Sequence, residues 1–90
     1  MTESVEIRRK RILFRSWHRG TREADLLLGP FADRHLAEMA PGELDELEAL
    51  LEERDDDLYD WISGRAPPPP NRDGAVLRRL RDFRFRPRPA

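Results

Sequence analysis

The sequence predicts an all-α fold, a small single-domain bundle of about five short helices. Apolar residues recur at intervals of three and four along most of the chain. No stretch alternates apolar and polar residues with the two-residue period of a strand, and glycines or prolines punctuate the periodic segments. Ninety residues restrict the chain to one modest core and leave little room for an enclosed catalytic cleft. The expected domain covers residues 1–83, and the arginine-proline segment 84–90 is expected to be a flexible tail.

The first helix is expected over Val5 to Trp17. Val5, Ile12, Leu13 and Trp17 are candidates for its buried side, with Arg8, Arg11 and Arg15 on another. It should stop near Gly20, where glycine serves as a C-terminal cap or lets another backbone approach. Thr21 to Met39 carries Leu27, Leu28 and Phe31, then Leu36 and Met39. Gly29-Pro30 interrupts it, because proline lacks a donor and clashes with the preceding turn, so a kink or two short helices are expected there.

Pro41 suits a first helical position, and Leu44, Leu47, Leu50 and Leu51 mark the stripe of a third helix, with glutamates outside it. Asp55-Asp56-Asp57 supplies N-cap carboxylates for a fourth helix that turns Leu58, Trp61 and Ile62 inward and closes at Gly64. Pro67 to Pro70 reads as an extended polyproline spacer. After it Asn71 or Asp73 can cap a last helix through Val76, Leu77, Leu80 and Phe83.

Charged residues make up 39% of the chain and hydrophobic ones 38%, which puts it near the edge of what can fold, although the clustering at helical spacing favours a packed core. The net charge of −1 conceals segregation. Residues 1–22 hold seven basic and two acidic side chains, residues 23–60 two and fourteen, and residues 61–90 eight and two. Either the basic arms lie along the acidic helices and neutralise them, or they present a basic surface to a partner.

Nucleic-acid binding fits poorly, since a middle segment with fourteen carboxylates in so small a chain would repel a phosphate backbone and the pI is about 6.1. No apolar run approaches the ~20 residues of a membrane helix, and the arginines near Met1 are interleaved with Glu3 and Glu6, unlike a transit peptide. A soluble cytoplasmic monomer is expected. With no cysteine, and with His18 and His35 isolated from other ligand types, thiol chemistry and a metal site find no support. The serines lack a base and an orienting group at recognisable spacing, and no glycine loop could cradle phosphate. The chain does not read as an enzyme.

One stretch stands apart: Arg19-Gly20-Thr21-Arg22-Glu23 puts a glycine between opposite charges where an amphipathic helix would otherwise continue. Arg19 and Glu23, four apart, would share a face if a second helix began at once. A bare patch between a guanidinium that forms bidentate hydrogen bonds and a carboxylate that accepts them suits contact with a protein. Equally, Gly20 could be only a cap between solvated charges.

These residues carry a resemblance. Arg9-Lys10-Arg11-Ile12-Leu13 leading into Arg19-Gly20-x-x-Glu23, then Asp25 with its leucine run, Phe31, Leu50-Leu51-Glu52 and Asp57-Leu58-Tyr59-Asp60-Trp61, are similar to the SdhE/Sdh5-like assembly factors. That family promotes covalent flavin attachment to the flavoprotein subunit of succinate dehydrogenase. The similarity runs from about residue 8 to residue 83 and includes the Arg-Gly-x-x-Glu motif. It implies a factor that binds the FAD-loaded flavoprotein subunit of succinate dehydrogenase, and by extension of fumarate reductase. The factor would favour the arrangement in which a histidine of that subunit bonds to the flavin.

FAD would then act in the partner, with no cofactor held by this chain. The motif match assigns Arg19, Gly20 and Glu23 to partner contact, with Arg11 and Arg15 as flanking candidates. Thr21 departs from the methionine common at that position, and the proline spacer and arginine-proline tail receive no role. The alternative from another class is an antitoxin-like or inhibitory regulator whose acidic middle covers a basic partner.

Overall fold

Apolar stripes and local caps fix where the helices begin and end. The computed structural model describes residues 3–85. It contains α1 (Val5–Trp17), α2 (Arg22–His35), α3 (Pro41–Leu51), α4 (Asp55–Ser63) and α5 (Ala75–Phe85), with short 3-10 turns at Leu36–Glu38 and Pro70–Arg72. Ser4 Oγ accepts from the Ile7 amide at 3.2 Å and Thr21 Oγ1 from the Ala24 amide at 3.1 Å, so α1 and α2 each start on a hydroxyl cap. In α3, Pro41 takes the first position and Glu43 Oε1 reaches back to the Ala40 amide at 2.9 Å.

The four leucines expected to line α3 are all buried, as are Leu58, Trp61 and Ile62 of α4. They meet Ile12 of α1, Leu27, Leu28 and Phe31 of α2, and Val76, Leu77 and Leu80 of α5 in one core. Packing of α1 on α2 and α3, and of α5 on α2, α3 and α4, closes the bundle around it. Phe83 seals one side with its ring edge-on to Phe31, centroids 5.8 Å apart.

Several local expectations are corrected. Val5, at the first residue of α1, is exposed. The helix α2 does not divide at Gly29-Pro30 but runs through both. Gly29 is buried against the indole of Trp17, where a Cβ would overlap Cδ2, Cε2 and Cε3 of that ring. Its role is therefore close approach between α1 and α2, and the packing it allows offsets the donor lost at Pro30.

Asp55, Asp56 and Asp57 form the first turn of α4 and not its N-cap, a position held by Arg54 without a side-chain bond. Gly64, in the left-handed region at φ 82°, does end that helix. Pro70 already belongs to a 3-10 turn, and Arg72 in that turn pairs with Glu53 at 2.5 Å, which ties the proline segment to the bundle.

Neither Asn71 nor Asp73 caps α5. Glu46 of α3 does so from outside, its Oε2 accepting from the amides of Val76 at 2.7 Å and Leu77 at 3.2 Å. Gly74 makes room, since a Cβ there would strike the Glu46 carboxylate. The helix extends to Phe85, past the expected end at Phe83, and the rest of the anticipated tail, residues 86–90, lies outside the described residues.

Gly29→Ala is expected to lower unfolding free energy by about 1–3 kcal/mol by forcing Trp17 off α2. Glu46→Ala is expected to cost about 0.5–2 kcal/mol through the lost cap. Urea unfolding followed by circular dichroism measures both.

Candidate functional site

Arginine in the sequence around Gly20 has more partners within the chain than local spacing suggests. Along α1, Arg8 pairs with Asp45 and, at 2.5 Å, with Glu48; Arg11 bonds Glu48 and Glu3, each at 2.7 Å; and Arg15 bonds Glu52 at 3.0 Å. The basic stripe of α1 thus lies along the acidic stripe of α3, and the neutralising arrangement accounts for much of the charge segregation. Arg8 and Arg11 have their pKa values raised by these carboxylates. Burial acts to raise the Glu48 carboxyl, but the hydrogen bonds from Arg8 and Arg11 win and hold it below its usual range.

This ladder ends at Arg19. Its side chain is only 9% exposed. The Nε donates to Asp55 Oδ1 at 2.8 Å, Nη1 to the Leu51 carbonyl at 2.6 Å and Nη2 to the Glu53 carbonyl at 2.8 Å. The Arg19 amide donates to Asp25 Oδ1 at 2.6 Å. One guanidinium therefore satisfies two carbonyls at the C-terminal end of α3 and the first carboxylate of α4. The condition for Arg19 and Glu23 to share a helical face is not met, because the 18–21 turn separates α1 from α2 and sends Arg19 inward.

The clamp on Arg19 sets the position of Gly20 and Glu23. Gly20 has φ +110°, is exposed, and has nothing within 4 Å of where a Cβ would stand. Glu23 is exposed in the first turn of α2 and forms no hydrogen bond or ion pair among the described residues. The structure brings Arg11, Arg15 and Arg19 onto one ladder facing α3 and α4, while Gly20 and Glu23 face outward.

Beside the turn lies an open cleft of about 600 Å³, lined among others by Phe14, Arg15, His18, Arg19, Leu51 and Arg54. Phe14 and His18 at its rim are both exposed. Local reasoning missed the structural parts of Asp25 and Asp55. A signal existed, because the basic positions 8, 11 and 15 and the acidic positions 45, 48 and 52 both step by three and then four residues, with Arg19 and Asp55 following at helical spacing.

Among the described residues no helix is long and apolar enough to cross a membrane.

A family model described as Sdh5, flavinator of succinate dehydrogenase, matches residues 10–84. The chain is 41% identical over 87 residues to succinate dehydrogenase assembly factor 2, mitochondrial, of Candida glabrata, covering 92% of this chain and 57% of that protein. It is 40% identical over 85 residues to the FAD assembly factor SdhE of Acetobacter pasteurianus, covering 93% and 78%. A third relative, succinate dehydrogenase assembly factor 2, mitochondrial, of Kluyveromyces lactis, is 39% identical over 85 residues, covering 90% and 52%. The chain spans between about half and four fifths of the length of these relatives.

Arg19→Ala, which strands two carbonyls and leaves the partly exposed Asp55 without its partner, is expected to lower unfolding free energy by about 1–3 kcal/mol, read by urea denaturation. The depressed Glu48 pKa stabilises the fold above the ordinary glutamate pKa of about 4.3, and that contribution is lost as pH falls through the lower folded value. Glu48→Gln is therefore expected to flatten the acid limb of a melting-temperature profile below about pH 5 while leaving its shape near neutrality unchanged.

Proposed function

The chain belongs to the Sdh5 family of flavinators of succinate dehydrogenase, and from that premise we propose that it binds the flavoprotein subunit of succinate dehydrogenase and promotes covalent attachment of FAD to it. The observation that carries this is Gly20: inside the Arg-Gly-x-x-Glu motif, the backbone stands open to solvent in a conformation suited to glycine, held there by the buried Arg19 clamp. A partner backbone can approach where no side chain intervenes.

Contact falls to Gly20 and Glu23, with Arg15 and Arg11 flanking, while Arg19 acts by positioning the turn. The flavin sits in the partner, and this chain works by steadying the arrangement in which a histidine of that subunit meets the isoalloxazine. The same docking surface extends to the flavoprotein of fumarate reductase. We place the protein in the cytoplasm as a monomer before docking.

Apo flavoprotein incubated with FAD and this protein is expected to gain covalent flavin fluorescence in a denaturing gel. No gain over FAD alone overturns the function. Gly20→Arg is expected to abolish the gain while retaining the helical circular dichroism. Gly20→Ala shares the backbone strain without the bulk and is expected to keep most of the activity, so equal loss in both variants would shift the cause from contact to folding.

A further inference from the structure

Among the described residues the most exposed large apolar side chains are Ile7 at 59% and Phe14 at 62%, seven residues apart and two turns along one side of α1. A solitary exposed apolar residue needs no explanation. Phe14 differs because it is held. Its ring stacks on the His18 imidazole with centroids 3.9 Å apart and planes 14° from parallel.

His18 Nδ1 lies 2.7 Å from the Phe14 carbonyl oxygen. A carbonyl only accepts, so Nδ1 carries the hydrogen, and Nε2 makes no bond among the described residues. Two rings are thereby fixed in place on the surface, which lowers the ordering cost of burying them in a complex. They rim the cleft that Arg19 and Leu51 also line, and His18 stands two residues before Gly20.

We propose that the Phe14–His18 stack is the anchor by which this chain docks on the flavoprotein subunit, Phe14 entering an apolar socket on that subunit and His18 Nε2 meeting a polar group at the socket's edge. The proposal rests on the function given above. Its occupant follows from continuity: His18 stands two residues before the open backbone of Gly20, and Arg19 between them lines the same cleft as the two rings, so a subunit docking at Gly20 comes up beside the stack. Rigid aromatic residues at the centre of a contact carry a disproportionate share of affinity, and exposed charged groups such as Arg54 and Asp56, which line the same cleft, suit its periphery.

The test is the affinity of the full chain for the apo flavoprotein subunit by titration calorimetry, with melting temperature measured in parallel. Phe14→Ala is expected to weaken binding about tenfold or more, and Phe14→Tyr to stay within about threefold of wild type. Both should melt within about 3 °C of wild type, since the ring fills no core space. His18→Ala, which leaves Phe14 unsupported, is expected to fall between them.

Wild-type affinity in Phe14→Ala, with binding still lost in Gly20→Arg, overturns the anchor and leaves the function standing. A concentration-dependent dimer that Phe14→Ala dissolves, with flavoprotein affinity unchanged, overturns it in favour of a second copy as the occupant. Absence of any wild-type binding removes the function and the anchor together.

Discussion

The largely enclosed guanidinium of Arg19 is the constraint on which the rest of the arrangement depends. Exposed pairs such as Arg15 with Glu52 contribute about 0–1 kcal/mol each, because water and salt screen them and two long side chains must be ordered. Arg19 is different in kind: with 9% of its side chain exposed, its charge is tolerable only because Asp55 and the carbonyls of Leu51 and Glu53 surround it. The outer rungs select a register between α1 and α3, and the inner rung locks it. A shift of α1 by one residue would carry every arginine off its carboxylate and leave Arg19 buried without partners.

Locking that register determines what remains for a partner. Most basic side chains of α1 are spent on α3 and α4, so the charge segregation is largely an internal matter. What the α1–α2 corner offers outward is an open glycine backbone, the exposed carboxylate of Glu23, unpaired among the described residues, and two stacked rings. Such a surface combines one place for close backbone approach, one acceptor and one apolar contact. In the docking proposed above, specificity for the partner comes from shape and from few polar groups, not from net charge.

How much of this could be read from the chain varies with the range of the forces involved. The helices α1, α3 and α4 were legible because an apolar stripe, a proline at the first turn of α3 and Gly64 act within a few residues. The continuity of α2 through Pro30 was not, because it depends on Trp17 lying against Gly29 from another helix. The cap on α5 was hidden for the same reason: Glu46 lies thirty residues before Val76. At the site, the motif singled out Arg19, Gly20 and Glu23, yet spacing offered Arg19 no partner except, if a helix began at once, a face shared with Glu23. Its actual partner, Asp55, is thirty-six residues away.

The division of labour within the motif reflects these distances. Were Arg19 exposed, the 18–21 turn would be tethered only by its flanking helices, and a partner docking there would bear the cost of ordering it, on the order of 1–2 kcal/mol per backbone residue. With the turn already fixed by Arg19, Asp25 and Asp55, that cost is met during folding, and docking energy is left to act on the partner. About 2.8 kcal/mol of preferential binding raises a rare, competent arrangement of another protein about a hundredfold. A chain of this size can supply that from a small contact, provided the contact is rigid before it is made. Rigidity is what Arg19 contributes, and it explains why a residue with almost no exposed surface stands next to a glycine with nothing around it.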